Sequence, residues 1–486
     1  MRRTRGHGRS GLPRAFQRLS SRGRALTLGA LIFGVLALAL FGHYTGTGRP
    51  GTVTIRVITE SAVATWRLQQ SVGWQPLEPN NDAAQARLRT YAPGSIRFMI
   101  GGDKGGDPVD AGGHWDFRKL DQLVTQMKDA SAGRASPMLS YWKPTNFNGC
   151  DRSDAGFSRW GDVLASMVKY YNSGWLNVGE QRLTNPAGTA NRIDYWEIWN
   201  EPDLEGDDCA LTVSQYVEMF NIVAPMMKAI DPTVKLAGPA LAETLDGRWL
   251  QPLMQGPNKP DIISWHAYGG SNRDTDAALF DAIDNQIVIN VQQCKRYAMG
   301  IPIWVTEANS DYSWTDDPAG RPWGSLGTAW NAELFRRLGL DGVTAINAYN
   351  WKESKQFALI YPPSKATPLL PYWRATLLQR YFPVGSTVLQ TTTSMAKGVE
   401  ALAVRKPNGR ISVLIINRRT TGGTDGKGVP TKVTVRIEGS PVRAVTNQEL
   451  DAAIDPANEP GMIDLPASAP KLSLPGFGVA LLDVET

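Results

Sequence analysis

The chain has 486 residues, 42% hydrophobic and 20% charged, an ordinary globular balance that excludes general disorder. That length exceeds one small domain and suits a barrel-sized domain with a smaller companion. The net charge of +5 is misleading as a sign of an anionic polymer, because Arg2, Arg3, Arg5, Arg9, Arg14, Arg18, Arg22 and Arg24 hold eight positive charges; without them the balance is −3, and no nucleic-acid partner is expected.

The basic tail, residues 1–24, runs directly into ALTLGALIFGVLALALFG, residues 25–42, which has no charged residue. Such a run is about as long as the shortest bilayer spans. With arginines only on its N-terminal side, it predicts a transmembrane signal-anchor with a cytoplasmic N-terminus. A cleaved signal peptide is the competing reading, since Ala37 and Ala39 resemble a small-residue cleavage site. Either way the rest of the chain is expected outside the cell membrane. Residues 43–50 read as a linker.

Residues 52–58 (TVTIRVI) read as a strand, and from about residue 90 strands alternate with amphipathic helices. Strands are expected at 95–99, 137–142, 195–200, 234–238, 261–268, 302–308 and 343–351. Helices are expected at 117–130, 157–172, 213–230, 248–255, 278–298, 326–338 and 370–380. One more strand within 62–77 completes eight βα units, so the fold class is α/β, a (β/α)8 TIM barrel over 51–383. After 384 the pattern turns all-β. The runs in 399–418 are joined by the hairpin signal Pro407-Asn408-Gly409, with further strands at 432–439 and 477–485. This predicts a C-terminal β-sandwich over 384–486, which the strand 52–58 either joins or leaves for the barrel.

In TIM barrels the chemistry sits where strands end. The fourth strand ends in Asn200-Glu201-Pro202 and the seventh in Thr306-Glu307-Ala308-Asn309. An ionisable residue closing an apolar strand is costly without a job or a partner. Two glutamates facing each other across a barrel mouth suit glycoside hydrolysis, in which one protonates the leaving oxygen and the other attacks the anomeric carbon. Glu201 is assigned as acid/base and Glu307 as nucleophile. Cys150 and Cys209 fall on the loops after neighbouring strands three and four, so a disulfide between them is expected, against the alternative of three free thiols with Cys294. No metal-ligand spacing, phosphate loop or Ser-His-Asp arrangement stands out, so no metal and no cofactor are expected.

YWEIWNEPD resembles the fourth-strand signature of clan A glycoside hydrolases, in which Asn-Glu-Pro carries the acid/base. More narrowly, the chain resembles glycoside hydrolase family 39, which includes β-xylosidases, α-iduronidases and exopolysaccharide hydrolases. Thr306 to Tyr312 resembles that family's nucleophile motif, and DIISWHAYG its sixth strand, over a likeness strongest from about 95 to 355. The resemblance implies a retaining glycosidase with a carbohydrate substrate. Three positions depart from the family pattern: Ala308 where Trp is common, Asp311 where Ser is common, and Met99 where His is common. All three are expected near the sugar, so the resemblance does not name the substrate.

Around the glutamates, Asn200 is expected to bind the sugar 2-hydroxyl and Tyr268 to hold Glu307 ionised. His266 reads as an orienting residue or a core histidine, Arg97 as a partner of Glu307 or a structural ion pair. Asn309 is expected to contact substrate. Sixteen Trp include Trp351 and Trp142, at the ends of strands eight and three, as sugar platforms, with core packing an equal reading for Trp142. A transglycosidase and a silent glycan-binding protein of exopolysaccharide assembly are the alternatives.

Overall fold

The computed structural model describes residues 52–486 except 75–80, 103–105, 132, 145–147, 205–208, 243–244 and 246. The tail, the apolar run 25–42 and the linker read from the sequence lie outside the described residues. Among the described residues, no helix is long and apolar enough to cross a membrane.

The first strand, β1 (Val53–Thr65), alternates strictly at its start, burying Val53, Ile55 and Val57. Its place is in the C-terminal sheet. The region read as barrel from residue 51 therefore begins later, at β2 (Gln69–Trp74), the one strand located from the sequence only to a window. There follow α1 (Asp82–Tyr91), β3 (Ser95–Ile100), α2 (Arg118–Ala130), β4 (Ser136–Tyr141) and α3 (Asp154–Ser173). A small hairpin, β5 (Trp175–Val178) and β6 (Gln181–Thr184), precedes β7 (Tyr195–Ile198) and α4 (Val213–Ile230). Then come β8 (Lys235–Leu241), α5 (Gly247–Gln255), β9 (Ile262–Tyr268), α6 (Asp276–Ala282) and α7 (Val288–Tyr297). The barrel ends with β10 (Ile303–Asn309), α8 (Ser325–Leu340), β11 (Ala345–Ala348) and α9 (Leu370–Tyr381).

Local chemistry sets several of these boundaries. Thr212 and Gln215 form a reciprocal capping box at the start of α4. Ser153 caps α3, and Gly174 ends it in the left-handed conformation that glycine adopts at little cost. The single helix expected over 278–298 is divided by a π turn at Ile283–Ile287.

Strands β2, β3, β4, β7, β8, β9, β10 and β11 close into a parallel barrel in that order. β3 and β10 are buried along their whole length, as parallel strands walled by helices must be. The remaining strands are β12 (Thr387–Thr393), β13 (Val399–Arg405), β14 (Ile411–Asn417), β15 (Thr431–Glu438), β16 (Ala444–Leu450), β17 (Ile463–Leu465), β18 (Lys471–Leu474) and β19 (Val479–Glu485). Together with β1 they form a nine-stranded sheet, in the order β17-β16-β19-β14-β13-β12-β1-β15-β18. Hydrogen bonding runs unbroken through it, so the two layers expected of a sandwich are one sheet curled over a shared core. That core includes Ile55, Val413, Val435 and Leu482. The other face of β14, through Leu414 and Ile416, joins the barrel's hydrophobic core. Barrel and sheet thus share one compact unit.

Candidate active site

Glu201 lies just past the end of β7, on a bend that Trp199 (φ 75°) and Glu201 (φ 48°) make with left-handed backbone. Neither residue is a glycine, so the bend costs free energy that the surroundings must supply. The Glu201 N–H donates to the Ala240 carbonyl at 2.9 Å, tying the bend to the end of β8. The side chain, 21% exposed, turns into the barrel mouth and meets His266 Nδ1 at 2.7 Å.

Glu307, on β10, is nearly fully buried. Its Oε1 accepts from Arg97 Nη1 at 2.7 Å and its Oε2 from the Tyr268 hydroxyl at 2.6 Å. The register of β9 against β10 sets Glu307 beside His266 and Asn309 beside Tyr268. Arg97, buried on β3, is the hub of this constellation. Its Nε donates to Glu197 Oε2 at 2.7 Å, and its Nη2 to Asn200 Oδ1 at 2.6 Å and Ser140 Oγ at 3.2 Å. Because the Asn200 oxygen is held by Arg97, its amide NH2 is the end left to serve a ligand.

One carboxylate oxygen of Glu201, one of Glu307 and a ring nitrogen of His266 all lie within 4.8 Å of one another. Burial alone would raise the Glu307 carboxyl, but His266, Arg97 and the Tyr268 hydroxyl outweigh it and hold the group below the ordinary carboxylate value. Burial pulls His266 down, while the Glu307 charge and the Glu201 hydrogen bond push it up further, so the net shift is upward. Burial and the Glu307 charge raise the Tyr268 hydroxyl well above its usual value, which keeps it a donor. Two carboxylates and a histidine are also a possible cation site. Here both Glu307 oxygens already accept from Arg97 and Tyr268, and His266 Nδ1 faces Glu201, so a metal would have to displace these bonds. The set holds Glu307 as an ionised carboxylate beside Glu201.

The structure brings Glu201, Glu307, Arg97, Asn200, His266 and Tyr268 together. It does not do so for the others. Trp351, read as a sugar platform, is fully buried beside Tyr372 and has no face to offer a ring. Tyr349, two residues earlier, stands there instead: its ring meets Tyr268 edge-on at 6.3 Å, and its hydroxyl feels the charge of both Glu307 and Glu201. Asn309, expected to contact substrate, is committed to the scaffold, with Nδ2 donating to the Tyr349 carbonyl at 2.7 Å and Oδ1 accepting from the Ser310 N–H at 2.7 Å. Trp142 is half-buried, with Lys143 Nζ 4.3 Å from its ring centroid.

Of the three family departures, Ala308 faces away from the mouth into a small cavity under α9. Asp311 is buried and accepts from the Ser313 N–H at 2.6 Å. Met99 is buried on β3. Cys150 and Cys209 form a disulfide, with Cα atoms 5.5 Å apart, while burial pushes the free Cys294 thiol up to about 12.

Sequence reasoning missed two residues. Glu197 is the buried counter-ion of Arg97 and sits within the same apolar strand that pointed to Glu201, so the same argument reaches it. Trp314, 63% exposed on the loop after β10, ends an edge-to-face aromatic series that runs through Phe357 to Tyr349 at centroid distances of 5.0 and 5.3 Å.

Comparison with known proteins agrees with this geometry. Residues 188–351 match the family described as Glycosyl hydrolases family 39, a stretch that includes Glu201, His266, Tyr268 and Glu307. A protein from Caldicellulosiruptor saccharolyticus named "Beta-xylosidase" is 24% identical over 166 residues, 32% of this chain and 31% of that one. The chain thus spans about a third of that relative's length. Among solved structures, the family 39 enzyme from Xanthomonas axonopodis pv. citri superposes with a TM-score of 0.64 at 14% identity, covering 91% of this chain and 99% of that one. A monomeric beta-xylosidase from Caulobacter crescentus CB15 also gives 0.64, at 15% identity over 89% and 99%. A family 30 endoxylanase from Clostridium papyrosolvens C71 gives 0.63, at 16% over 90% and 100%. These structural likenesses establish the fold, a (β/α)8 barrel with a second β domain. The family match bears out the resemblance read from the sequence.

Proposed function

We propose that this chain, whose barrel carries the family 39 segment, is a retaining glycosidase acting by double displacement. The observation that carries the reading is the approach of Glu201 and Glu307 oxygens to within 4.8 Å. Retaining enzymes hold their carboxyl groups about 5 to 5.5 Å apart, whereas inverting ones leave room for a water between them.

Glu307, kept ionised by Arg97 and Tyr268, attacks the anomeric carbon. The anomeric C–O bond breaks as Glu201 gives its proton to the leaving oxygen, leaving a glycosyl ester on Glu307. Glu201, now a carboxylate, takes a proton from water, which attacks the same carbon and frees Glu307. His266 hydrogen-bonds Glu201 through both steps. The Asn200 amide serves the sugar 2-hydroxyl, where a hydrogen bond strengthens in the transition state. The exposed Trp314 offers an apolar face to a sugar ring.

The named xylosidases among the relatives make a β-xyloside the first substrate to try. The arginine-rich tail and the apolar run 25–42 support an enzyme tethered to the cell membrane, its barrel outside, trimming a glycan made at that surface. Protease shaving of intact cells tests that placement, which a protected barrel would overturn.

For the chemistry, the full chain in detergent is assayed on aryl β- and α-glycosides beside Glu307→Ala, with NMR following the anomer released first. Cleavage by the parent alone, with the anomeric configuration kept, is the expected result. Inversion, or equal cleavage by the variant, would overturn the mechanism.

A further inference from the structure

Behind the nucleophile strand, outside the barrel mouth, lies a small cavity between β10, β11 and the start of α9. Its lining includes Asn309, Asn331, Tyr349, Phe357, Pro371 and Arg374. Its volume is about 10 Å3, room for one water or one ion of comparable size. No acidic residue lines it among the described residues.

Arg374 is only 2% exposed, and its Nε is fully buried with no hydrogen-bond partner. Burial pulls this guanidinium down to about 10, with only a minor contribution from Tyr91. Arg336 shows the contrast: burial pulls it down as well, but Glu333 and Glu400 reverse the shift. Arg374 remains protonated at neutral pH, so it is a buried cation with no counter-ion among the described residues. Pro371 places the start of α9 at the same cavity, and that helix has no side-chain cap. Pro371 and Arg374, in the first turns of α9, thus line one space that a single small particle fills.

We propose that this cavity binds one halide-sized anion, chloride in a physiological medium, against the Arg374 guanidinium. The anion neutralises a charge that no described acidic residue meets. It also braces the wall shared by Asn309 and Tyr349, which stand behind Glu307 and beside it. The site is independent of the glycosidase reading, since it rests on an uncompensated charge and not on the carboxylate pair.

The test is a bromide soak of crystals of the full chain, with data collected at the bromine absorption edge. An anomalous peak within contact of the Arg374 guanidinium is expected. An ordered water there without anomalous signal would overturn the proposal. Alongside, thermal midpoints are compared in sodium chloride and sodium gluconate at equal ionic strength, for the parent and for Arg374→Met. The parent should melt several degrees higher in chloride, and the variant equally in both. A chloride effect that survives in the variant, or none in the parent, counts against the site; if the variant does not fold, the parent's chloride response and the bromide peak decide.

Discussion

Of the buried charge networks in this molecule, one lies at the barrel mouth and another at the seam between barrel and curled sheet. At the seam, Arg336, Arg337 and Arg418 meet Glu333, Glu400 and Asp284, with N–O distances from 2.5 to 3.3 Å. Three cations face three anions, and the set closes. At the mouth, Glu197, Glu201 and Glu307 surround one arginine and one histidine. Glu197 Oε1 and His266 Nε2 have no hydrogen-bond partner among the described residues. A network that balances holds elements together. One with three carboxylates around two basic groups does not balance.

The sharpest way to break that comparison is to remove a member from each side. Glu307→Ala should lower kcat by roughly 10^6 and leave the melting midpoint close to the parent's, as steady-state kinetics and calorimetry would show. Glu201→Ala should cost about 10^2 to 10^4, and least with aryl leaving groups that need no proton, so the ratio of rates on aryl and alkyl glycosides reports its role. At the seam, Glu333→Ala strands buried guanidinium groups and should cost about 3 to 5 kcal/mol in denaturant unfolding, with KM and kcat unchanged while folded. Loss of activity at an unchanged midpoint would refute the division between the two networks. Trp314→Ala should raise KM for oligosaccharides by about tenfold and leave small aryl glycosides unaffected, given the worth of one aromatic face.

The smallest effect is on pH. The folded value of His266 lies above its ordinary 6.5, so its contribution to stability is full below that value and fades as pH rises through the raised one. The melting-midpoint advantage of the parent over His266→Gln should therefore be largest near pH 6 and shrink on the alkaline side. An advantage that grows with pH would reverse the sign assigned to the Glu307 and Glu201 interactions.

The two facing glutamates were legible because each closes a strand too apolar to tolerate a charge without reason. The barrel was legible for a related cause: its strands are walled on both faces and read as continuous apolar runs. What escaped notice lacks that contrast. Helix α1 buries only Ala84, Leu88 and Tyr91 along a largely polar stretch, so its periodicity is faint. β17 and β18 are short, and β17 is largely exposed. Trp351 and Tyr349 stand two residues apart at a strand end, and which of them faces the mouth depends on how the chain leaves β11. Residue type favoured the indole, and the backbone chose the phenol. The split fate of Glu307 and Asn309, one aimed at the mouth and one tied into the wall, is set by three-dimensional hydrogen bonding that no spacing encodes.

The position of β1 has a consequence for how the protein is made. This strand pairs in parallel with β15 and antiparallel with β12, and its Arg56 reaches Glu438 across 382 residues of sequence. It leaves the ribosome early but cannot pair until nearly the whole chain has followed. Meanwhile Val53, Ile55 and Val57 form an unprotected apolar edge, the kind that recruits other chains. Contacts that span so much sequence also form slowly. A gene cut after α9 would therefore not yield a free barrel. It would yield a barrel trailing an orphaned strand, without the cover that Leu414 and Ile416 of β14 give its core, and aggregation is the expected fate of that fragment.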